Sequence, residues 1–468
     1  MASDRVGPAR SRTTGPRWSG RTRGRAPAGS AALVAALVAV TLTGCDHDKP
    51  APAPVREEVQ RAVALPAPVG DRPPGVIAGL PVEPAVVDDR LRVMGKGDRL
   101  WAEPLAGATG AAPVWSYRRV GARIGAFRII RDGTGRTLAV TAWDESPDRY
   151  GPNDTGLLVG VDLATGAPAW RSVVPHPVSS TGEGVTPRSD DLLVVPARGG
   201  PVAVLPWFAG VEAVDATSGK PLWRYDQHKD CAEVPDFGPG SWELGGYLVL
   251  DITCKGGKRK PQLRVFDARS ARITAYVQPK LPRSGGPEPA VYVSGCTDGN
   301  GCAVFGVSTG PAEVERPLAW RLDRDGRPVR VTTDRDSYCC LQHDGRFLLL
   351  ASTVIALTPD LHARWRVAAG AEHRGLYPPV VEDVDQGTDL VWLAASSWRE
   401  GPAALVGLDP ATGAVRTCAA PPRAVPVRSV DAQGKYLVVR DDPNARTPPT
   451  GRYVLIRPDT RPHPCPAS

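Results

Sequence analysis

Residues 161–174 read VDLATGAPAWRSVV. Asp162, the Thr165-Gly166 pair and Trp170 stand at fixed offsets between two β-rich runs. An Asp side chain accepts backbone N–H groups in an Asx-type turn, and glycine takes the positive φ of a tight reversal without a Cβ clash. The chain then re-emerges with apolar residues and Trp170. Its indole offers a large flat face to a neighbouring sheet and an N–H to a turn carbonyl. Alone, such a run makes a hairpin.

The run recurs along the chain. AVDATSGKPLWRY (213–225) places Asp215 53 residues after Asp162, and VFDARSARITAYV (265–277) places Asp267 52 further on. RLDRDGRPVRV (321–331) brings Asp323, IALTPDLHARWRV (355–367) has Thr358 at that position, and GLDPATGAVRTC (407–418) brings Asp409. EPLAGATGAAPVWSYR (103–118) ends its motif at Trp115, 55 before Trp170, and VLIRPDTRPH (454–463) is a degenerate copy near Asp459. Between copies lie Val- and Leu-rich runs ending in turn residues: TLAVTAWD (137–144), DLLVVPA (191–197), YLVLDITC (247–254), VYVSGC (291–296), RFLLLAS (346–352), DLVWLAAS (389–396) and YLVVRDD (436–442). They read as strands. No stretch downstream of the N-terminal segment carries a long 3.6-residue period. Several short strands in each repeat of roughly 50 residues predict an all-β fold, a β-propeller of four-stranded blades.

The pattern A-x-D-x-x-T-G-x-x-x-W resembles the quinoprotein-like (PQQ-binding-like) β-propeller repeat of quinoprotein alcohol dehydrogenases and of envelope lipoproteins of the BamB type. Residues 160–170 match it with Gly160 for Ala, and 213–223 with Ser218 for Thr. Residues 407–417 keep Asp409, Thr412 and Gly413 but have Thr417 for Trp. The likeness covers roughly residues 80–465. It implies seven or eight blades, and eight motif remnants favour eight. Asp162, Gly166, Trp170, Asp215, Gly219, Trp223, Asp409 and Gly413 are expected to be structural: Asp turns the chain, Gly permits the turn, and Trp staples the next blade.

The N-terminus reads as an address. The chain has 468 residues and a formal charge of +7. Seven arginines and a single acid before residue 45 contribute +6 of that charge, so the rest is near neutral and no nucleic-acid partner is implied. AALVAALVAVTLTG (31–44) is apolar but falls short of the ~20 residues of a bilayer span. With the basic stretch before it, it has the parts of a secretory signal. LTGC (42–45) resembles a bacterial lipobox, which makes Cys45 the diacylglyceryl-modified first residue of the mature chain. The expected organisation is a signal peptide over 1–44, lipidated Cys45 with a Pro/Ala-rich tether over 45–78, and the propeller over 79–468. A short helix is expected within the tether around Val55–Leu65. The implied location is the extracytoplasmic face of a cell membrane.

Eight cysteines remain after Cys45: Cys231, Cys254, Cys296, Cys302, Cys339, Cys340, Cys418 and Cys465. An even count in an exported chain predicts disulfides. Cys296–Cys302 is favoured by proximity, with Cys231–Cys254 and Cys418–Cys465 as further pairings; no Cys/His spacing suits zinc.

Chemistry is sparse. Cys339–Cys340 resembles the adjacent-cysteine disulfide stacked on pyrroloquinoline quinone (PQQ) in some quinoprotein dehydrogenases, but no matching calcium ligands, Asp base or Trp floor can be placed. VEDVDQGTDLVWL (381–393) resembles the calcium loops of integrin-type propellers through Asp383, Asp385 and Asp389, though two residues short. Against it stands a plain hairpin turn. KGGKRK (255–260) concentrates charge on one loop and is expected to be a solvated turn. The polar insertions at 141–154 and 225–243 are the interaction candidates. The seven histidines show no catalytic spacing. The expectation is therefore a membrane-anchored, non-enzymatic binding or scaffold module of the cell envelope with a protein partner or ligand and no cofactor. The alternatives are a PQQ-dependent dehydrogenase and a sensory or accessory subunit of an envelope complex.

Overall fold

The structure is a computed structural model that describes residues 55–461. Outside the description are gaps of one to four residues and the stretches 145–154, 176–191, 232–240, 253–262, 278–289, 296–302, 309–318, 332–340, 358–362, 369–379, 397–403, 420–426 and 442–452. Within it, ten strands build the first part of the chain. They are β1 (Arg56–Gln60), β2 (Gly75–Leu80), β3 (Pro84–Val87), β4 (Leu91–Lys96), β5 (Arg99–Pro104), β6 (Trp115–Val120), β7 (Arg123–Arg131), β8 (Thr137–Asp144), β9 (Thr155–Asp162) and β10 (Pro168–Pro175). The run TLAVTAWD coincides with β8. Its residues are buried on both faces from Leu138 to Trp143, which is why it reads as a continuous apolar run rather than an alternating one.

The described strands form eight antiparallel sheets. Sheet 1 has the order β1-β6-β5-β4-β3 and sheet 2 the order β10-β9-β8-β7. Sheets 3 to 7 take four strands each, consecutively, from Leu193–Val195 through Val415–Ala419. Sheet 8 joins Val427–Gln433, Tyr436–Asp441 and Tyr453–Arg457 to β2 from the other end of the chain. A strand contributed by one terminus to the blade of the other is how a ring of sheets removes a free seam.

Apolar clusters weld neighbours face to face. Trp115, Tyr117, Trp143 and Val159 join sheets 1 and 2, and Leu138, Trp170, Ala203 and Val214 join sheets 2 and 3. Val204, Leu248 and Phe266 continue to sheet 4. Trp365 and Val391 join sheets 6 and 7, and Trp392 and Val439 join sheets 7 and 8. Leu80, Met94, Tyr436 and Leu455 then bring sheet 8 against sheet 1. The fold is a β-propeller.

One expectation about the N-terminal segment is corrected. Residues 56–60 form no helix but a fifth strand on the outer edge of sheet 1. A segment this short, between Pro54 and Pro66, lacks the length for a stable isolated helix. An unpaired edge strand with arginines offers its Glu57 and Glu58 a ladder and counter-charges instead. Residues 56–60 thus pair with sheet 1. Gln227–Lys229 is the only helical turn among the described residues.

Candidate functional site

The recurring motif is built as a joint between sheets. Asp162 Oδ1 accepts the N–H groups of Ala164 (2.9 Å) and Thr165 (3.2 Å), and Gly166 N–H donates to the Asp162 carbonyl at 2.7 Å with φ 71°. Asp215 and Asp409 repeat the geometry, with Gly219 at φ 70° and Gly413 at φ 72°. The tryptophan of one sheet donates to the turn of the next. Trp115 Nε1 reaches the Leu163 carbonyl at 2.8 Å, Trp170 the Ala216 carbonyl at 3.1 Å, Trp223 the Ala268 carbonyl at 2.8 Å and Trp365 the Pro410 carbonyl at 3.0 Å. Thr417, which replaces a tryptophan, donates its hydroxyl to the Asp459 carbonyl at 3.2 Å. A bulge separates Pro168 from Trp170, and irregularities recur at the same junction in sheets 3, 4, 6 and 7. Such a bulge re-aims the side chain beyond it. These residues are consumed by packing.

A cavity of about 910 Å³ opens where β3, β7 and Val427–Gln433 meet, the inner strands of sheets 1, 2 and 8. Phe127, Ile124 and Ile129 give it an apolar wall; Asp88, Asp89 and Lys435 stand on its polar side. Asp88 and Asp89 are the central residues of the β3–β4 turn, at φ 51° and 56°, where the Arg90 N–H donates to the Val87 carbonyl at 3.0 Å. That turn type favours Asn-Gly, because both central residues need positive φ.

The acids hold this strained turn to its neighbours. Asp88 pairs with Arg131. Asp89 receives the Tyr436 hydroxyl, the Lys435 ammonium at 2.8 Å and the Gly70 N–H at 3.3 Å. Burial pushes the Asp89 carboxyl up, but the hydrogen bonds from Lys435 and Tyr436 outweigh it and keep it below the usual range. Gln433 closes the same seam. Its Oε1 accepts the Val86 N–H at 2.7 Å, and its Nε2 donates to the Pro84 carbonyl at 3.1 Å and to Asp431 at 2.6 Å. No His, Cys, Ser or Thr is among the described residues lining the cavity. An apolar wall with convergent polar groups is an arrangement that can recognise a ligand.

A second polar cluster lies on the outer rim. Glu57 of β1 receives the Tyr117 hydroxyl at 3.0 Å, the Arg171 guanidinium (Nε at 2.8 Å) and Arg119. Glu58 pairs with Arg118 at 3.3 Å, and Arg118 also reaches Asp98 at 2.8 Å. The Arg171 hydrogen bonds, against the opposing effect of burial, hold the Glu57 carboxyl below its usual range. Burial pushes the Tyr117 hydroxyl up to about 12.

The insertion at 225–243 is described at its start and, as the beginning of the strand Ser241–Leu244, at its end. Near its start Asp230 accepts from Tyr225 at 2.7 Å and from Arg264 at 2.6 Å. The Arg264 guanidinium lies over the rings of Tyr225 and Tyr276.

Asp383 and Asp385 belong to the strand Val380–Gln386, opposite Ala394 and Trp392, and only Asp389 lies in the turn, exposed. Two of the three acids of the expected calcium loop thus sit in a sheet. Among the described residues no three metal-ligating side chains gather. Cys231 and Cys418 are each disulfide-bonded. Cys45, Cys254, Cys296, Cys302, Cys339, Cys340, Cys465 and the loop KGGKRK lie outside the described residues. No helix among the described residues is long and apolar enough to cross a membrane.

Sequence reasoning overlooked the cavity and the rim. The Asp88-Asp89 pair between two β-rich runs was the available signal for the first, and Glu57-Glu58 in a Pro-bounded segment for the second.

No protein-family model matches the sequence, and no curated protein matches it. Among solved structures the chain is similar to BamB from Moraxella catarrhalis, at 12% identity over 82% of this chain and 99% of that one, with a TM-score of 0.44. It is also similar to the Dos1 propeller, at 9% identity over 84% and 95% of the two chains with a TM-score of 0.43. A third is the quinohemoprotein alcohol dehydrogenase ADHIIG from Pseudomonas putida HK5, at 12% identity over 81% and 68% with a TM-score of 0.37.

Proposed function

We propose that this chain is an exported lipoprotein, anchored through a diacylglyceryl group on Cys45, whose propeller is a non-enzymatic binding or scaffold module on the outer face of a cell membrane. The observation that carries the binding role is the cavity between sheets 8, 1 and 2. Its described lining combines an apolar wall with charged groups, among them Asp89 and Lys435 paired with each other. An apolar wall with a few convergent polar groups supports a recognition role. The address is supported by the basic segment, the 14-residue apolar run and LTGC at 42–45. Cys254 and Cys465 are the proposed disulfide partners of Cys231 and Cys418, and non-reducing peptide mapping reads those pairings directly.

Two measurements test the function. Labelled palmitate should enter the wild-type chain expressed in a secreting host and fail to enter Cys45→Ala; equal labelling removes the anchor. Cross-linking on intact membranes should recover a reproducible protein partner, and its absence removes the scaffold role. Stoichiometric binding of PQQ with calcium, together with dye-linked alcohol oxidation, would instead favour the dehydrogenase alternative.

A further inference from the structure

The outer edge of sheet 1 is the place where this propeller departs from a uniform ring. Every other described sheet has four strands, whereas sheet 1 has β1 added against β6, in the register Arg56↔Val120, Glu57↔Arg119, Glu58↔Arg118, Val59↔Tyr117 and Gln60↔Ser116. All five residues of β1 are exposed, and only the flanking Val55 and Ala62 pack against the apolar cluster between sheets 1 and 2. Little apolar burial therefore holds this strand. Its attachment rests on the backbone ladder and on two carboxylates facing three guanidinium groups, Arg118 and Arg119 from sheet 1 and Arg171 from sheet 2.

If β1 left, β6 would present an open edge with those three arginines unpaired from Glu57 and Glu58. An open strand edge lined with one sign of charge accepts an extended segment of the opposite sign, the ladder supplying affinity and the side chains selectivity. We propose that the β6 edge is a strand-docking site for an extended partner segment carrying two adjacent carboxylates, and that residues 56–60 keep it filled until such a segment takes their place. This deepens the binding role proposed above and rests on it for its biological meaning. The occupant is defined by chemistry that β1 itself displays: two consecutive acids, the first received by Arg119, Tyr117 and Arg171 and the second by Arg118.

Tethering sets the terms of exchange. A strand joined to its site by a short flexible linker has an effective concentration on the order of millimolar. A free peptide therefore competes poorly with an intact β1, and weakening β1 must raise its apparent affinity.

The test uses the purified full chain and a fluorescent peptide of residues 54–62, PVREEVQRA. Glu57→Arg places a guanidinium among Arg119 and Arg171 and should expel β1. The expected results are peptide binding at least tenfold tighter than to wild type, loss of that binding when both peptide glutamates are lysines, and faster hydrogen exchange in Trp115–Val120 without peptide. Where Glu57→Arg lowers the yield of folded protein, Glu57→Gln should shift affinity the same way by a smaller factor. Equal peptide affinity for wild type and both variants overturns the proposal, as does equal binding of the lysine peptide. Failure here leaves acylation of Cys45 and partner capture on membranes untouched, because neither takes part in the measurement.

Discussion

A Cβ added to Gly166 would lie 2.5 Å from the Trp115 Cβ, so the joint between these consecutive sheets leaves no room for a side chain at residue 166. The same relation links Gly219 to Trp170, at 2.3 Å from the ring, and Gly413 to Trp365, at 2.8 Å. Each joint combines a positive φ with a contact that admits no further atom. Gly166→Ala should therefore cost roughly 2–4 kcal/mol, the sum of backbone strain and overpacking. Gly97 has φ 59° and open space around its Cα, so Gly97→Ala should cost only about 1 kcal/mol. Urea denaturation of the two variants separates packing from backbone; equal losses would mean that the tryptophan contact contributes nothing.

Among the described turns, that of sheet 4 departs from this pattern. Ala271 holds the glycine place at φ 58°, and its N–H still donates to the Asp267 carbonyl at 3.0 Å. Trp223, facing this turn, is only partly buried and lies stacked near Phe266, with ring centroids 6.0 Å apart. Ala271→Gly relieves the backbone and should stabilise the protein by about 0.5–1 kcal/mol, read as a higher melting temperature. A lower one would show that the Ala methyl is needed by its surroundings.

Acid should loosen the joints from the turn carboxylates outward. Burial pushes the Asp215 carboxyl up, yet hydrogen bonds from Thr217, Arg269 and Ser218 outweigh it and hold it at about 2. The Arg416 hydrogen bonds hold Asp409 at about 2 as well. A carboxyl whose folded pKa lies below its unfolded value stabilises the fold above the unfolded pKa, and loses that contribution as pH falls through the folded one. For Asp215 the contribution is roughly 2 kcal/mol, complete above about pH 5 and falling away toward pH 2. Asp215→Asn should be less stable than wild type at pH 7, with the gap narrowing toward pH 2. Melting curves across that range check it, and a constant gap would remove the carboxylate from the account.

One amide links sheets 8 and 1 at two points beside the Asp89 contacts. Gln433→Ala removes the acceptor of the Val86 N–H and the donor to Pro84, residues far away in sequence but adjacent across the cavity. The loss should be about 1–3 kcal/mol. Hydrogen exchange should quicken first in β2 and β3; acceleration spread evenly through all sheets would mean that the seam is no weaker than the other joints.

The blades were legible because their signals are local. TLAVTAWD is apolar throughout, and Asp162 with Gly166 turns the chain within five residues. Trp115 could be placed by its distance from Trp170, although its own turn had lost the aspartate. The closure was not legible. GVIAGLP shows no feature that names Tyr453–Arg457 as its partner, because ladder pairing is written in backbone groups that every residue carries. The REEVQ segment likewise lacks the alternation of a half-buried strand, being exposed throughout and held by charge. The cavity escaped notice for a related reason. Asp88, Gln433 and Lys435 come from opposite ends of the chain, and only ring closure makes them neighbours.

Closure by β2 has a consequence in time. Gly70, just ahead of β2, and Arg457, at the end of its partner strand, are 387 residues apart in sequence, and the Arg457 guanidinium grips the Gly70 carbonyl at 2.8 Å. At about 5–20 residues per second of synthesis, β2 waits on the order of tens of seconds for its partner strand. Throughout that wait β2 is a bare edge with an exposed Val76, and the sheets already made form an arc rather than a ring. Until the two ends of the ring find each other, each is an open edge to which a foreign strand can add.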